Sequence, residues 1–124
     1  MTRINLVNPS ELHRSHLVSE YREIVRVFAL ARKNQYEMHK KKLPEKYTLG
    51  TGHCLFFLDK LNFISDRYDS LCAEMLKRGY TCNRVPKDEL HKGINANMFW
   101  DYKPTEEALE INRQRIADRM PKVS

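Results

Sequence analysis

A chain of 124 residues can bury one modest core, so its length excludes two independent domains and predicts a single domain over residues 1–124. A formal charge of +6, from 22 Lys and Arg against 16 Asp and Glu, points to a polyanionic partner, either nucleic acid or an anionic membrane. Three cysteines, Cys54, Cys72 and Cys82, odd in number and without C-x-x-C spacing, exclude a disulfide framework, argue against structural zinc, and leave reduced thiols in a cytosol-like compartment.

The opening "MTRINL" lacks the charged, apolar and cleavage regions of a signal peptide. No apolar run approaches the about 20 residues of a membrane span. The expectation is a soluble, cytoplasmic protein trimmed at its start no further than Met1. Pro9, Ser10, Glu11 and Leu12 then predict a turn or one preliminary helical turn. Over residues 15 to about 31, Leu17, Val18, Tyr21, Ile24, Val25 and Phe28 recur at three- and four-residue steps and predict the first long helix. Residues 32–46, with "HKKKLPEK" and no period, read as a solvated basic loop.

Gly50 and Gly52 bracket a turn, and from His53 a short apolar element leads into a second long helix. Its inward residues are predicted as Leu61, Ile64, Tyr68, Leu71, Cys72 and Met75, and Gly79 after Lys77-Arg78 predicts a left-handed cap with cations at the negative end. Residues 80–97 are polar and irregular. A third helix is predicted from Thr105 to Met120, turning Leu109, Ile116 and Met120 inward. With no alternating strand and no repeat, the expected architecture is a compact all-α domain of three main helices with long connecting loops.

The polar faces carry the chemistry. His16 and Glu23 are seven apart, about two helical turns, and so point the same way, with Arg22 and Arg26 flanking the carboxylate. From spacing alone that pattern is first a solvated face with intrahelical pairs; the sharper reading is a carboxylate kept ionised by cations to stabilise a developing positive charge or move a proton. Arg113, Arg115 and Arg119 form a second basic cluster, and side-by-side packing of the first and third helices would merge the two into one groove suited to phosphates. His13 and His16 lack a third metal ligand, and His53 with Cys54 reads as packed interior rather than a nucleophile pair. Phe99, Trp100 and Tyr102 could stack on a base or belong to the core. No phosphate-cradling glycine loop is present.

The stretches "TRINL", "EYRE" followed two residues later by "RVF", "LGTGHCLFFLDKL", "LKRGY" and "DYKP" resemble, in order, the pyrimidine-dimer DNA glycosylase/AP lyases, the endonuclease V family of ultraviolet repair. The resemblance runs from residue 2 to about residue 121. It implies an all-α domain that needs no metal or organic cofactor and acts on lesion-bearing duplex DNA; nothing in the sequence forces a protein partner, so a monomer is the expectation. By the same resemblance, the nucleophile is the α-amino group of Thr2, freed because a small second residue allows methionine removal. Glu23 then corresponds to the catalytic carboxylate, and Arg3, His16, Arg22, Arg26, Arg115 and Arg119 to residues that contact DNA or line the pocket.

Two features depart from the family pattern. This chain reads Met120-Pro121-Lys122-Val123-Ser124 where the best-known members continue into a tail rich in Trp and Tyr, and residues 34–46 differ in sequence. The resemblance therefore carries the chemistry further than the substrate: cyclobutane pyrimidine dimers lead, beside another damaged or modified pyrimidine or an abasic site. A basic DNA-binding module without catalysis is the alternative from a different class.

Overall fold

The computed structural model describes residues 3–40 and 42–120, with only the backbone of His39 included. The first helical run divides into α1 (Arg14–Glu23) and α2 (Val25–Asn34). His13 starts it by accepting the Ser15 amide on its ring Nδ1 at 3.1 Å, a side-chain cap that satisfies one of the orphan donors of the first turn. Ile24 stands at the joint, where the Val27 amide reaches back only three residues to the Ile24 carbonyl. Leu17, Ile24, Val27, Phe28 and Ala31 are buried along this run, and so is Glu20.

The run does not give way to a loop at residue 32, as composition predicts. It continues to Asn34 and then over Gln35–Lys40 as 3-10 turns broken by a kink at Glu37. The reason is tertiary. Arg32 donates to the carbonyls of Leu90 and Lys92, both at 2.7 Å, while Gln35 donates to Gly93 at 2.6 Å and accepts from the Asn95 amide at 2.7 Å. These polar ties across the molecule order a segment that has no apolar period. Their counterpart lies in residues 80–97, expected to be irregular, where α5 (Lys87–His91) buries Leu90. Five residues are too few for periodicity to register.

A turn through Gly50, at φ 79°, leads into α3 (His53–Phe57) and then α4 (Leu61–Lys77). Every predicted inward residue of α4 is buried, together with Ser65 and Arg67. The helix ends as its sequence predicts. Gly79 takes φ 81°, and the amides of Gly79 and Tyr80 return to the carbonyls of Leu76 and Met75. α4 packs against α1, α2 and the 3-10 turn over Pro9–Glu11.

α6 (Glu106–Asp118) is capped by Thr105, whose hydroxyl accepts the Ala108 amide at 3.0 Å. Its inward face corrects the apolar reading. Ala108 and Asn112 are buried, Leu109 and Ile116 are half-buried, and Met120 is 44% exposed. Asn112 occupies the core-facing position because it pairs with the N-terminal segment. Among the described residues the only β-type pairing is an isolated bridge between Lys60 and Phe99, so the protein is all-α. No helix among them is long and apolar enough to cross a membrane.

Residues 4–7 are buried although they belong to no helix or strand. Side chains replace the missing ladder. The Ile4 amide donates to His53 Nε2 at 2.7 Å and the Ile4 carbonyl accepts from the Tyr47 hydroxyl at 2.9 Å. The amides of Leu6 and Val7 share Asn112 Oδ1 at 2.6 and 3.2 Å, and the Val7 carbonyl accepts from Arg67. Buried backbone polar groups need such partners, because leaving one unpaired costs about 1–3 kcal/mol.

Candidate active site

On α1, His16, Ser19, Glu20 and Glu23 fall on one strip and form one wall of a cavity of about 410 Å³. Arg115 and Ile116 of α6, with Arg119 at its C-cap, form the opposite wall, and Arg3 and Asn5 of the N-terminal segment complete it. The two helices are joined across the cavity by a hydrogen bond in which His16 Nε2 donates to the Arg119 carbonyl at 3.0 Å. A carbonyl can only accept, so Nε2 carries the proton. His16 Nδ1 is buried without a protein partner among the described residues.

The two carboxylates of this wall are three residues apart and differ in kind. Both oxygens of Glu20 are engaged. Arg67 donates from Nε and its terminal nitrogen at 2.8 and 3.0 Å, and Asn5 donates at 2.8 Å. Asn112 in turn donates to Asn5 at 2.8 Å, so one buried polar network ties the N-terminal segment to α1, α4 and α6. Glu20 is 2% exposed and spent on structure. Glu23 keeps a quarter of its side chain exposed, with Arg26 no nearer than 4.0 Å, and is the carboxylate a bound molecule can reach. Glu20 was not among the sequence candidates. A signal existed, since residue 20 lies within the apolar stripe between Leu17 and Ile24, and an acid there needs a buried partner.

The cavity is electropositive. Burial, followed by the charges of Arg3 and Arg119, pulls the Arg115 guanidinium below its ordinary value. Such mutual repulsion among cations is relieved by an anion placed between them. Cys54 stands close enough to feel both Glu23 and Arg3, but burial dominates and pushes its thiol up, toward the unreactive protonated form. His53 is no partner for it. Both its ring nitrogens serve backbone, Nδ1 donating to the Thr48 carbonyl at 2.8 Å while Nε2 accepts from Ile4, and burial pushes its pKa down to about 4.

Of the residues singled out in the sequence, Arg3, His16, Glu23, Arg115 and Arg119 meet at this cavity. Arg22 on α1 and Arg26 on α2 are exposed outside its lining. Arg113 faces elsewhere, pairing with Glu11 at 3.5 Å. Trp100 is 65% exposed and donates to the Asn97 carbonyl, and Tyr102 packs edge-on against Phe56 and Phe63, so neither borders the cavity. Thr2 lies outside the described residues. No group of three or more His, Cys, Asp or Glu that could hold a metal ion occurs among the described residues. Residues 1–88 match the model of a family described as pyrimidine dimer DNA glycosylase, a match that ends before α6 and its two cavity arginines.

Proposed function

The chain belongs to the pyrimidine dimer DNA glycosylase family, and from that premise we propose that its single domain over residues 1–124 is both a DNA glycosylase and an AP lyase acting on duplex DNA at cyclobutane pyrimidine dimers. The observation that carries this reading is the pairing of an accessible carboxylate, Glu23, with Arg3, Arg115 and Arg119 around one cavity. Arg3 is also the residue bonded to Thr2.

In this proposal the α-amine of Thr2 is the nucleophile. Its ordinary pKa of about 7.7–8.0, against about 10.4 for lysine, leaves a useful neutral fraction at physiological pH, and nearby guanidiniums enlarge it. The amine lone pair forms a bond to sugar C1′ while the glycosidic bond breaks, its electron pair leaving with the pyrimidine. Ring opening yields a protonated imine. Loss of a C2′ proton then sends electrons toward the imine nitrogen as the C3′–O bond breaks and the 3′ phosphate departs. Glu23 stabilises positive charge on the sugar during the first step and relays protons in those that follow. Arg3, Arg115 and Arg119, with Arg22 and Arg26 on the adjoining surface, hold phosphates, and His16 lines the pocket.

Borohydride trapping of tag-free protein on two duplexes, one with a thymine dimer and one with an abasic site, tests the chemistry. A covalent adduct mapped to Thr2 on the dimer duplex is expected. An adduct on the abasic duplex alone would move the substrate to other damaged bases, and none on either would leave a DNA-binding module. Arg115→Ala tests the phosphate contacts. It is expected to weaken duplex binding and lower the slope of log affinity against log salt by about one. Arg113→Ala, whose side chain pairs with Glu11, should leave that slope unchanged, and equal slopes for both variants would remove Arg115 from the interface.

A further inference from the structure

The first residues of a chain fray unless tied down. Here the tie takes both backbone polar groups of Ile4, two residues along the chain from Thr2. His53 accepts the Ile4 amide, Tyr47 donates to the Ile4 carbonyl, and both are side chains rather than strand neighbours. His53 can hold Ile4 only as the neutral tautomer with its proton on Nδ1, and the Thr48 carbonyl, accepting from that Nδ1 at 2.8 Å, selects it. The two rings meet edge-on with centroids 5.4 Å apart, and both residues are almost fully buried. Neither lines the cavity that holds Glu23.

We propose that His53 and Tyr47 are positioning residues: by gripping both polar groups of Ile4 they set where the chain's first residues are delivered relative to Glu23. The inference rests on the reading of the Thr2 amine as nucleophile. A nucleophile on a main-chain terminus has no side-chain rotamer to place it, so the backbone that precedes the core must be aimed. A shift of about 1 Å in a reacting group can cost on the order of a hundredfold in rate.

His53→Phe keeps an aromatic ring in the packing and removes both hydrogen bonds, Tyr47→Phe removes one hydroxyl, and His53→Gln restores an acceptor for Ile4. With the initiator methionine confirmed absent by mass, three quantities are compared: single-turnover imine trapping on an abasic duplex, duplex affinity, and thermal unfolding. His53→Phe is expected to slow trapping by about tenfold to a hundredfold, with affinity within about threefold of wild type at temperatures where the variant is folded. Tyr47→Phe should give a smaller loss, and His53→Gln should recover part of the rate. Trapping that merely follows the folded fraction, or that is unchanged, overturns the proposal.

A second readout is independent of catalysis. The α-amine, labelled by ¹³C reductive methylation, is titrated by NMR in wild type and His53→Phe. Its midpoint should differ between the two proteins, and an unmoved midpoint overturns the proposal. A wild-type protein that traps nothing defeats the catalytic reading alone, and the titration still decides whether His53 governs the amine's surroundings.

Discussion

Glu23→Gln is expected to bind lesion-bearing duplex as well as the unaltered protein does, or slightly better, while its turnover falls by about 10²–10⁴-fold. The separation follows from where the carboxylate stands. Glu23 lines the cavity with a quarter of its side chain exposed, and among the described residues its ion pair is with Arg26 at 4.0 Å, long and at the surface. Exposed pairs of this kind contribute about 0–1 kcal/mol, so the amide should leave the fold intact. Removing a negative charge from a cavity edged by three arginines makes it more attractive to phosphates. What the amide cannot do is balance positive charge on a sugar or carry a proton. Single-turnover incision measured beside equilibrium binding decides the matter, and an undiminished rate would exclude Glu23 from the mechanism.

Arg67→Ala is expected to destabilise the protein by about 3–5 kcal/mol, the usual consequence of leaving a buried charge without its partner. With domain stabilities of about 5–15 kcal/mol, that is a large share of the total. Two losses combine. Glu20, almost fully buried, loses two of its three hydrogen bonds, and the Val7 carbonyl loses its donor. Because Asn5 binds the same carboxylate, the N-terminal segment should loosen before the helices do. Replacing the pair together, with Glu20→Leu and Arg67→Met, should be much milder than Arg67→Ala alone, since an apolar pair leaves no buried charge. Chemical denaturation of the three proteins reads these differences. A loss for Arg67→Ala below about 1 kcal/mol, the range of a surface pair, would mean that the pair does not carry the buried network. Glu20 and Glu23 share a helix and a cavity, yet one is expected to govern stability and the other turnover.

The match over residues 1–88 leaves the family's known chemistry next to a segment of chain whose contribution it does not describe. α6 lies wholly beyond the matched residues, yet it supplies Arg115 and Arg119 to the cavity and Asn112 to the N-terminal segment. The salt slope of Arg115→Ala therefore bears on whether the second wall belongs to the DNA interface.

By itself, the sequence determined whatever depends on neighbours within a few turns. The apolar stripe of α4, its Gly79 cap, the Thr105 start of α6 and the strip shared by His16 and Glu23 are local consequences of the helical repeat and of capping chemistry. So was the chemical character of the cavity, since Arg115 and Arg119 sit one turn apart wherever α6 packs. Tertiary structure alone decided which partner each inward polar residue meets. Glu20 meets Arg67 across 47 residues and Asn112 meets Leu6 across 106, and each is buried because its partner satisfies it. Hydrophobic periodicity registers apolar surface and is blind to such pairs, which is why α6 turns Asn112 rather than Met120 inward. It also misses α5 and the extension of α2, which are held by Arg32 and Gln35 reaching carbonyls about sixty residues away. Polar groups become interior only where the fold brings donor and acceptor together, and that meeting has no local signature in the chain.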